Sequence, residues 1–358
     1  MDKFDLGWQE VWDKYGDIYQ AGRVIRITAK HKGGYKGYGK SGEVNCYLSG
    51  KMKFESTSGT LPAVGDWCVT SESFIGEADD NAVIIEEILQ RKSKISRITS
   101  GNRTEEQLFA ANIDYSFIVT SANSDLNINR IERFHFISTS GNATPIIIIS
   151  KSDLPTEMEP IVSRLATAFP ETMILTTSIL NESGMEKIKN LLSIGKTGVF
   201  IGSSGVGKSS LINALLGREV QTTLTIRVKD DKGRHATTGT SLFFIKDGGM
   251  VIDTAGLREL QVFGNTEQLE EAFKDIAKFS SACKFSDCTH TSEPNCAVLS
   301  ALKSGELETR KFENFLKLKD DVDIFKKKLE KQKPSNSKRR WREINVAYRK
   351  KQKFDQNE

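Results

Sequence analysis

The stretch GVFIGSSGVGKSSLINALL, residues 198–216, decides the fold class. Within it, Gly202-Ser203-Ser204-Gly205-Val206-Gly207-Lys208-Ser209 fits G-x-x-x-x-G-K-[ST] at every position. A strand-sized apolar run precedes the motif and a helical pattern follows, which is the context a phosphate loop needs. Its glycines let the backbone curl so that N–H groups face phosphates, and the helix N-terminus adds partial positive charge. Lys208 can reach the outer phosphates and Ser209 can ligand Mg²⁺. Ser210, the next residue, is a further candidate contact to the nucleotide.

Downstream, Asp253-Thr254-Ala255-Gly256 ends the apolar run Met250–Thr254. A carboxylate there can hold the Mg²⁺ shell, and the Gly256 N–H can contact a terminal phosphate. Upstream, Ser150-Lys151-Ser152-Asp153 follows PIIII, where a guanine site carries Asn-Lys-x-Asp at a strand end. The Asp153 carboxylate can accept from the two N–H groups of guanine's Watson–Crick edge, a pair adenine does not offer. The Lys151 stem can lie across the base, and Ser178, at the next strand end, can cap it. Ser150 stands where Asn is usual and lacks its amide. Base motif, phosphate loop and DxxG thus run in an order that is one intact cyclic rotation of the ordinary GTPase order. A fold tolerates such a rotation when its original termini lie close together.

Candidate strands in this middle region are Ser116–Thr120, Pro145–Ser150, Met173–Ser178, Gly198–Gly202, Ser241–Lys246 and Met250–Thr254. They are apolar throughout, as strands covered on both faces are. Helical patterns alternate with them, so the expected fold is an α/β P-loop GTPase domain, circularly permuted. Before it, Gly22–Thr28, Val44–Leu48, Trp67–Thr70 and Ala82–Ile88 read as short strands of a small barrel. Lys32–Gly42 (KGGYKGYGKSG) reads as a glycine-rich turn between them, and Leu61–Trp67 as a turn feeding a strand. The expected domains are 1–95, a leading helix and barrel; 96–265, the GTPase; and 266–358, a helical region with a zinc site and a basic tail.

Cys283, Cys288, His290 and Cys296 give C-x₄-C-x-H-x₅-C. Three thiolates and one imidazole complete a tetrahedral site with no position left for a catalytic water, so structural zinc is expected. Of the five cysteines, the other two, Cys46 and Cys68, read as small buried hydrophobes. An odd count favours metal binding over a disulfide framework.

The 358 residues are 38% hydrophobic and 27% charged, with no apolar run long enough to span a bilayer. The start, MDKFDLGWQE, shows neither a secretory signal nor a transit peptide, so a cytoplasmic protein with no membrane partner is expected. Net charge is +4, but Lys326–Lys353 is dominated by Lys and Arg, with Glu330 and Glu343 its only acids. Lys338-Arg339-Arg340-Trp341-Arg342 and Tyr348 combine phosphate-binding cations with rings that can stack on bases, which points to RNA.

The order of base motif, phosphate loop, Gly233-Arg234-His235-Ala236-Thr237-Thr238, DTAGLRE and Cys/His cluster resembles the RsgA (YjeQ) family of small-subunit ribosome biogenesis GTPases. Ala110–Asp114 (AANID) and Asn129–Arg133 (NRIER) share in the resemblance, which covers nearly the whole chain. It implies an amino-terminal OB-fold, GTP hydrolysis to GDP stimulated by the small ribosomal subunit, rRNA contact, and a role in late subunit maturation. It also implies that His235 positions the attacking water. Thr237 or Thr238 would sense the terminal phosphate, with Thr238 and Ser209 as the magnesium pair. The chain departs from the family pattern at Ser150 for Asn, Ala236 for Thr and Ala255 for Pro. Leu257 occupies the position after DxxG where ordinary GTPases place a water-orienting Gln, so slow intrinsic hydrolysis is expected. Two other readings stay open: a zinc-containing RNA-binding module with a vestigial nucleotide site, and a permuted GTPase acting on the large subunit. A monomer is expected.

Overall fold

The computed structural model describes residues 22–31, 33–40, 42–55, 59–71, 82–98, 106–122, 126–217, 240–254 and 264–332, together with Gly7 and Ile18. The first strands are β1 (Val24–His31), β2 (Gly34–Gly39) and β3 (Gly42–Leu48). Helix α1 (Gly50–Glu55), β4 (Trp67–Thr70) and β5 (Ala82–Ile88) follow. The strands pair in the order β1-β2-β3-β5-β4, and a further β1–β4 pairing closes the ring. Only the β3–β5 pair is parallel, so this is a closed five-stranded barrel with OB-fold connectivity. Its interior is filled by Ile25, Ile27, Tyr35, Val44, Cys46, Cys68, Val83 and Ile85.

The segment read as a glycine-rich turn is a strand instead. Residues 34–39 form β2, paired with both neighbours. The glycines here serve close approach rather than turning. A Cβ on Gly37 would lie 2.7 Å from the Ile25 Cδ1, and one on Gly34 would lie 2.7 Å from the Cys46 carbonyl oxygen. A small barrel curls so tightly that side chains on this strand would strike its neighbours. The expected leading helix falls outside the described residues, Ile18 excepted.

A hairpin of β6 (Lys94–Ile98) and β7 (Glu106–Ala111) leads into the second unit. There β8 (Tyr115–Ser121), α2 (Ile128–Ser140), β9 (Thr144–Ser150), α3 (Met158–Ala168), β10 (Met173–Thr176) and α4 (Met185–Leu191) alternate. The alternation continues with β11 (Thr197–Gly202) and α5 (Lys208–Leu216) and ends in the hairpin β12 (Thr240–Phe244) and β13 (Met250–Thr254). The strand order is β10-β9-β8-β11-β13-β12, parallel except for β12. Helices cover both faces. Ile131, Phe134 and Leu165 pack on Ile118, Ile147 and Ile201 on one side. On the other, Ile188, Leu211 and Leu215 pack on Phe117, Ile148 and Phe200. This is the doubly wound α/β domain expected from the continuous apolar strands.

The helices α6 (Thr266–Ala272), α7 (Lys274–Ser281), α8 (Ala297–Ser304) and α9 (Thr309–Gln332) follow. Their core holds Leu269, Phe273, Ile276, Val298 and Leu318, and α2 contributes Phe136 to it. Barrel and α/β sheet meet where β1 pairs with β12 at Ala29↔Ser241. Beside that junction lies Arg26, 1% exposed and pulled down to about 10 by burial, against the pull of Asp114 and Asp66. Its guanidinium donates to the Asn112 carbonyl at 3.0 Å and stacks over Trp67 at 5.4 Å. Among the described residues, no helix is long and apolar enough to cross a membrane.

Candidate functional site

Parallel register places the ends of β8, β9, β11 and β13 along one edge of the sheet, where a doubly wound fold binds ligands. Gly202 ends β11 at φ 145°, and a Cβ there would lie 2.3 Å from the Val119 carbonyl oxygen. Only glycine lets the chain leave the sheet at that point. Gly205 and Gly207 continue the turn at φ 80° and 95°, and α5 begins at Lys208.

Lys208 Nζ donates to the carbonyls of Gly202, at 2.8 Å, and Ser203. Burial pulls Lys208 down to about 8, and Asp253 opposes the shift. Burial likewise pushes Asp253, near the end of β13, up to about 6, with Lys208 opposing. Ammonium, at the start of α5, and carboxylate, on β13, thus share a partly buried end of the sheet, and neither fully compensates the other's loss of water. A phosphate facing Lys208 and a hard cation facing Asp253 would complete that compensation. The oxygen donors of Ser209 and Asp253 suit Mg²⁺.

The base segment is tied to this loop. Ser150, 3% exposed, places its Oγ 2.5 Å from the Val206 carbonyl and 3.0 Å from the Thr120 carbonyl. Lys151, held at φ 58°, donates from Nζ to the Gly205 carbonyl at 2.9 Å. Ser152 N donates to the Thr177 carbonyl at 3.1 Å. The Ser178 hydroxyl donates to Asp153 Oδ1, orienting the carboxylate that faces the next cavity. That cavity, of about 240 Å³, is lined by Ser150, Lys151, Asp153, Ile179, Leu180 and Ser210, among others. It is apolar apart from Asp153 and its neighbours, so it can take a flat base and read its hydrogen-bonding edge.

The sequence residues from 150 to 153, 178, 202 to 210 and 253 therefore converge on one edge of the sheet. His235, Thr237, Thr238 and Gly256 lie outside the described residues. Sequence reading did not find Arg130, whose Nη1 donates to Ser203 Oγ at 2.8 Å. Its position in the segment Asn129–Arg133 was its one signal.

At the Cys/His cluster, Cys283 Sγ lies 3.8 Å from Cys296 Sγ and 3.6 Å from His290 Nδ1, and His290 Nδ1 lies 3.4 Å from Cys296 Sγ. All four donor atoms, Cys288 included, fall within 4.8 Å of one another. A zinc tetrahedron with Zn–S of about 2.3 Å and Zn–N of about 2.0 Å has edges of roughly 3.5–3.8 Å, so the donor set fits zinc. The residue behind the ligands was not foreseen. Ser280 Oγ bonds His290 Nε2 at 3.0 Å, leaving Nδ1 to face the centre. Cys296 caps α8, its sulfur accepting from Leu299 N at 3.4 Å.

A family model described as RsgA GTPase matches residues 88–263. A protein named small ribosomal subunit biogenesis GTPase RsgA from Methanosarcina acetivorans is 36% identical over 352 residues, covering 97% of this chain and 93% of that protein. The protein named RsgA 2 from Lactiplantibacillus plantarum is 38% identical over 303 residues, 84% of each chain. Among solved structures, YjeQ from Thermotoga maritima has a TM-score of 0.61 at 25% identity, covering 84% of this chain and 98% of that one. YloQ, described as a circularly permuted GTPase, shares the fold with a TM-score of 0.58 at 24% identity, covering 86% and 96%. With a complete phosphate-loop motif and relatives of 36–38% identity matched over 84–93% of their length, this chain belongs to the RsgA GTPase family.

Proposed function

We propose that this GTP hydrolase binds the small ribosomal subunit, assists its late maturation, and is stimulated by it to convert GTP to GDP and phosphate. The observation that carries the reading is the single edge on which Lys208, Asp253, Asp153 and Ser178 converge, beside a cavity sized for a base. In this reading Asp153 selects guanine, Ser178 aims it, and Lys151 covers the base face. Gly202–Gly207 offer N–H groups to the phosphates, with Lys208 balancing their charge. Ser209 and Thr238 would hold Mg²⁺, with Asp253 supporting its shell, and the ion would supply neutralisation of phosphate charge. Gly256 contacts the terminal phosphate and Thr237 senses it. His235 positions the attacking water, since Leu257 cannot. The zinc centre holds the loop between α7 and α8 rigid.

Three functional units go with this reading: residues 1–95, 96–265 and 266–358. The closed barrel supports rRNA contact by the first, because this connectivity commonly binds oligonucleotides. Exposed Lys51, Lys53 and Phe54 on α1 would serve it, and the basic tail would extend it. The protein would act as a cytoplasmic monomer on its subunit. The deciding experiment is GTP turnover with and without purified small subunits. Stimulation by small subunits and not by large subunits is expected. Equal turnover in all three conditions would refute the proposal, and stimulation by large subunits alone would favour the other permuted class.

A further inference from the structure

Helix α2 touches three parts of the molecule at once. Its first turn reaches the phosphate loop through Arg130, bound to Ser203 Oγ at 2.8 Å. Two residues further on, the buried Glu132 accepts a two-pronged pair of bonds from Arg310 of α9, each 3.1 Å long. Asn314 of α9 adds a bond of 2.5 Å to the same carboxylate. Asn129 accepts from Arg310 through its side chain and from Asn314 through its carbonyl. Farther along, Arg133 pairs with Asp321 at 3.0 Å and Phe136 is fully buried in the carboxy-terminal core. A bidentate arginine–carboxylate pair with a buried carboxylate fixes orientation as well as distance. α9 therefore braces the turn of α2 that carries Arg130 from the side opposite the sheet core.

Ser203 is held from both sides. Arg130 binds its hydroxyl and Lys208 binds its carbonyl. Any shift of Arg130 displaces the loop residue on which the phosphate-binding lysine rests.

We propose that Arg130 is a positioning residue for the phosphate loop, and that the Glu132–Arg310–Asn314 cluster makes its position depend on the seating of α9. Seating of the carboxy-terminal helix then governs nucleotide affinity through α2, with α2 as the rigid element linking the two sites. A partner that pulls on the carboxy-terminal unit loosens the loop by the same route. This inference rests on the nucleotide reading above.

The test is titration with fluorescent mant-GDP and mant-GTP, and GTP turnover at saturating GTP, on the full chain. Variants are Arg130→Ala, Arg130→Lys, Ser203→Ala, Arg310→Ala and Glu132→Gln, with the doubles Arg130→Ala/Ser203→Ala and Arg130→Ala/Arg310→Ala. Loss of the charged hydrogen bond is expected to weaken both nucleotides roughly ten-fold in Arg130→Ala, with partial rescue by lysine. Arg310→Ala and Glu132→Gln should weaken them in the same direction, although neither touches the loop. The doubles should be no weaker than Arg130→Ala alone. Wild-type affinity in both Glu132→Gln and a folded Arg310→Ala would overturn the proposal. So would losses that simply add in the doubles, because independent sites add. An intact loss in Arg130→Ala with wild-type Ser203→Ala would also overturn it, by showing that arginine acts on the nucleotide directly. If the wild-type chain itself binds neither nucleotide, the nucleotide reading falls instead.

Discussion

The guanidinium of Arg26, on the first barrel strand, donates to the hydroxyl of Thr197 at the start of the phosphate-loop strand, at 2.9 Å. The barrel is thereby fastened to the strand that ends in Gly202. Arg26→Ala removes a fully buried side chain and leaves the Asn112 carbonyl and Thr197 hydroxyl without this donor. A loss of about 3 kcal/mol in folding stability is expected, combining a cavity with orphaned acceptors. Urea unfolding followed by tryptophan fluorescence measures it, and a change below about 1 kcal/mol would show that the junction is not held this way.

Ser150 joins the base segment to the phosphate loop through the Val206 carbonyl. Ser150→Ala should leave the fold intact and weaken mant-GDP roughly five- to ten-fold, as expected for one net hydrogen bond. Unchanged affinity would mean that the loop keeps its place without the hydroxyl.

Zinc should be present at one ion per chain by elemental analysis and be lost on Cys288→Ser. The melting temperature should fall, and the folded fraction should keep a weakened mant-GDP binding, since the cluster lies away from the sheet edge but in the core that seats α9. Ser280→Ala removes only the partner of His290 Nε2 and should lower zinc affinity on the order of ten-fold in a competitive chelator titration.

Stability should fall with acid in a defined window. Burial pulls His135 down to about 4, while its unfolded value is near 6.5. Between those values the unfolded chain binds the extra proton, so this contribution is complete above pH 6.5 and is lost as pH falls toward 4. His135→Gln should flatten the pH dependence of the urea midpoint between pH 7.5 and 5 relative to wild type. An unchanged slope would assign the acid sensitivity elsewhere.

His235→Ala is expected to bind mant-GTP as wild type does and to lose subunit-stimulated turnover by a factor on the order of a hundred. Full stimulation in that variant would remove His235 from the hydrolytic step.

Strands with continuous apolar runs, such as β9 and β13, were legible because a doubly covered sheet demands little else of them. β2 was not, because its glycines carry a turn's composition while serving a packing need that only the closed barrel creates. The hairpin β6–β7 mixes Lys, Arg, Glu and Gln with its apolar residues and gave no period to follow. At the site, Lys208, Asp153 and Ser178 announced themselves because each belongs to a fixed motif. Arg130 and Ser280 did not, since each matters through a partner 73 or 10 residues away that only folding brings near.

The pairing of β1 with β12 has a consequence for the molecule's behaviour in a crowded solution. β12 is the last strand of the six-stranded sheet, and an uncovered last strand offers its free N–H and C=O groups to any passing chain. The barrel lies against that margin, with Ala29 opposite Ser241 and the Tyr38 ring 5.2 Å from that of Phe244. In addition to any contact with RNA, the barrel covers this edge against lateral pairing with a strand of another copy. Cutting it away should cost solubility before it costs nucleotide binding.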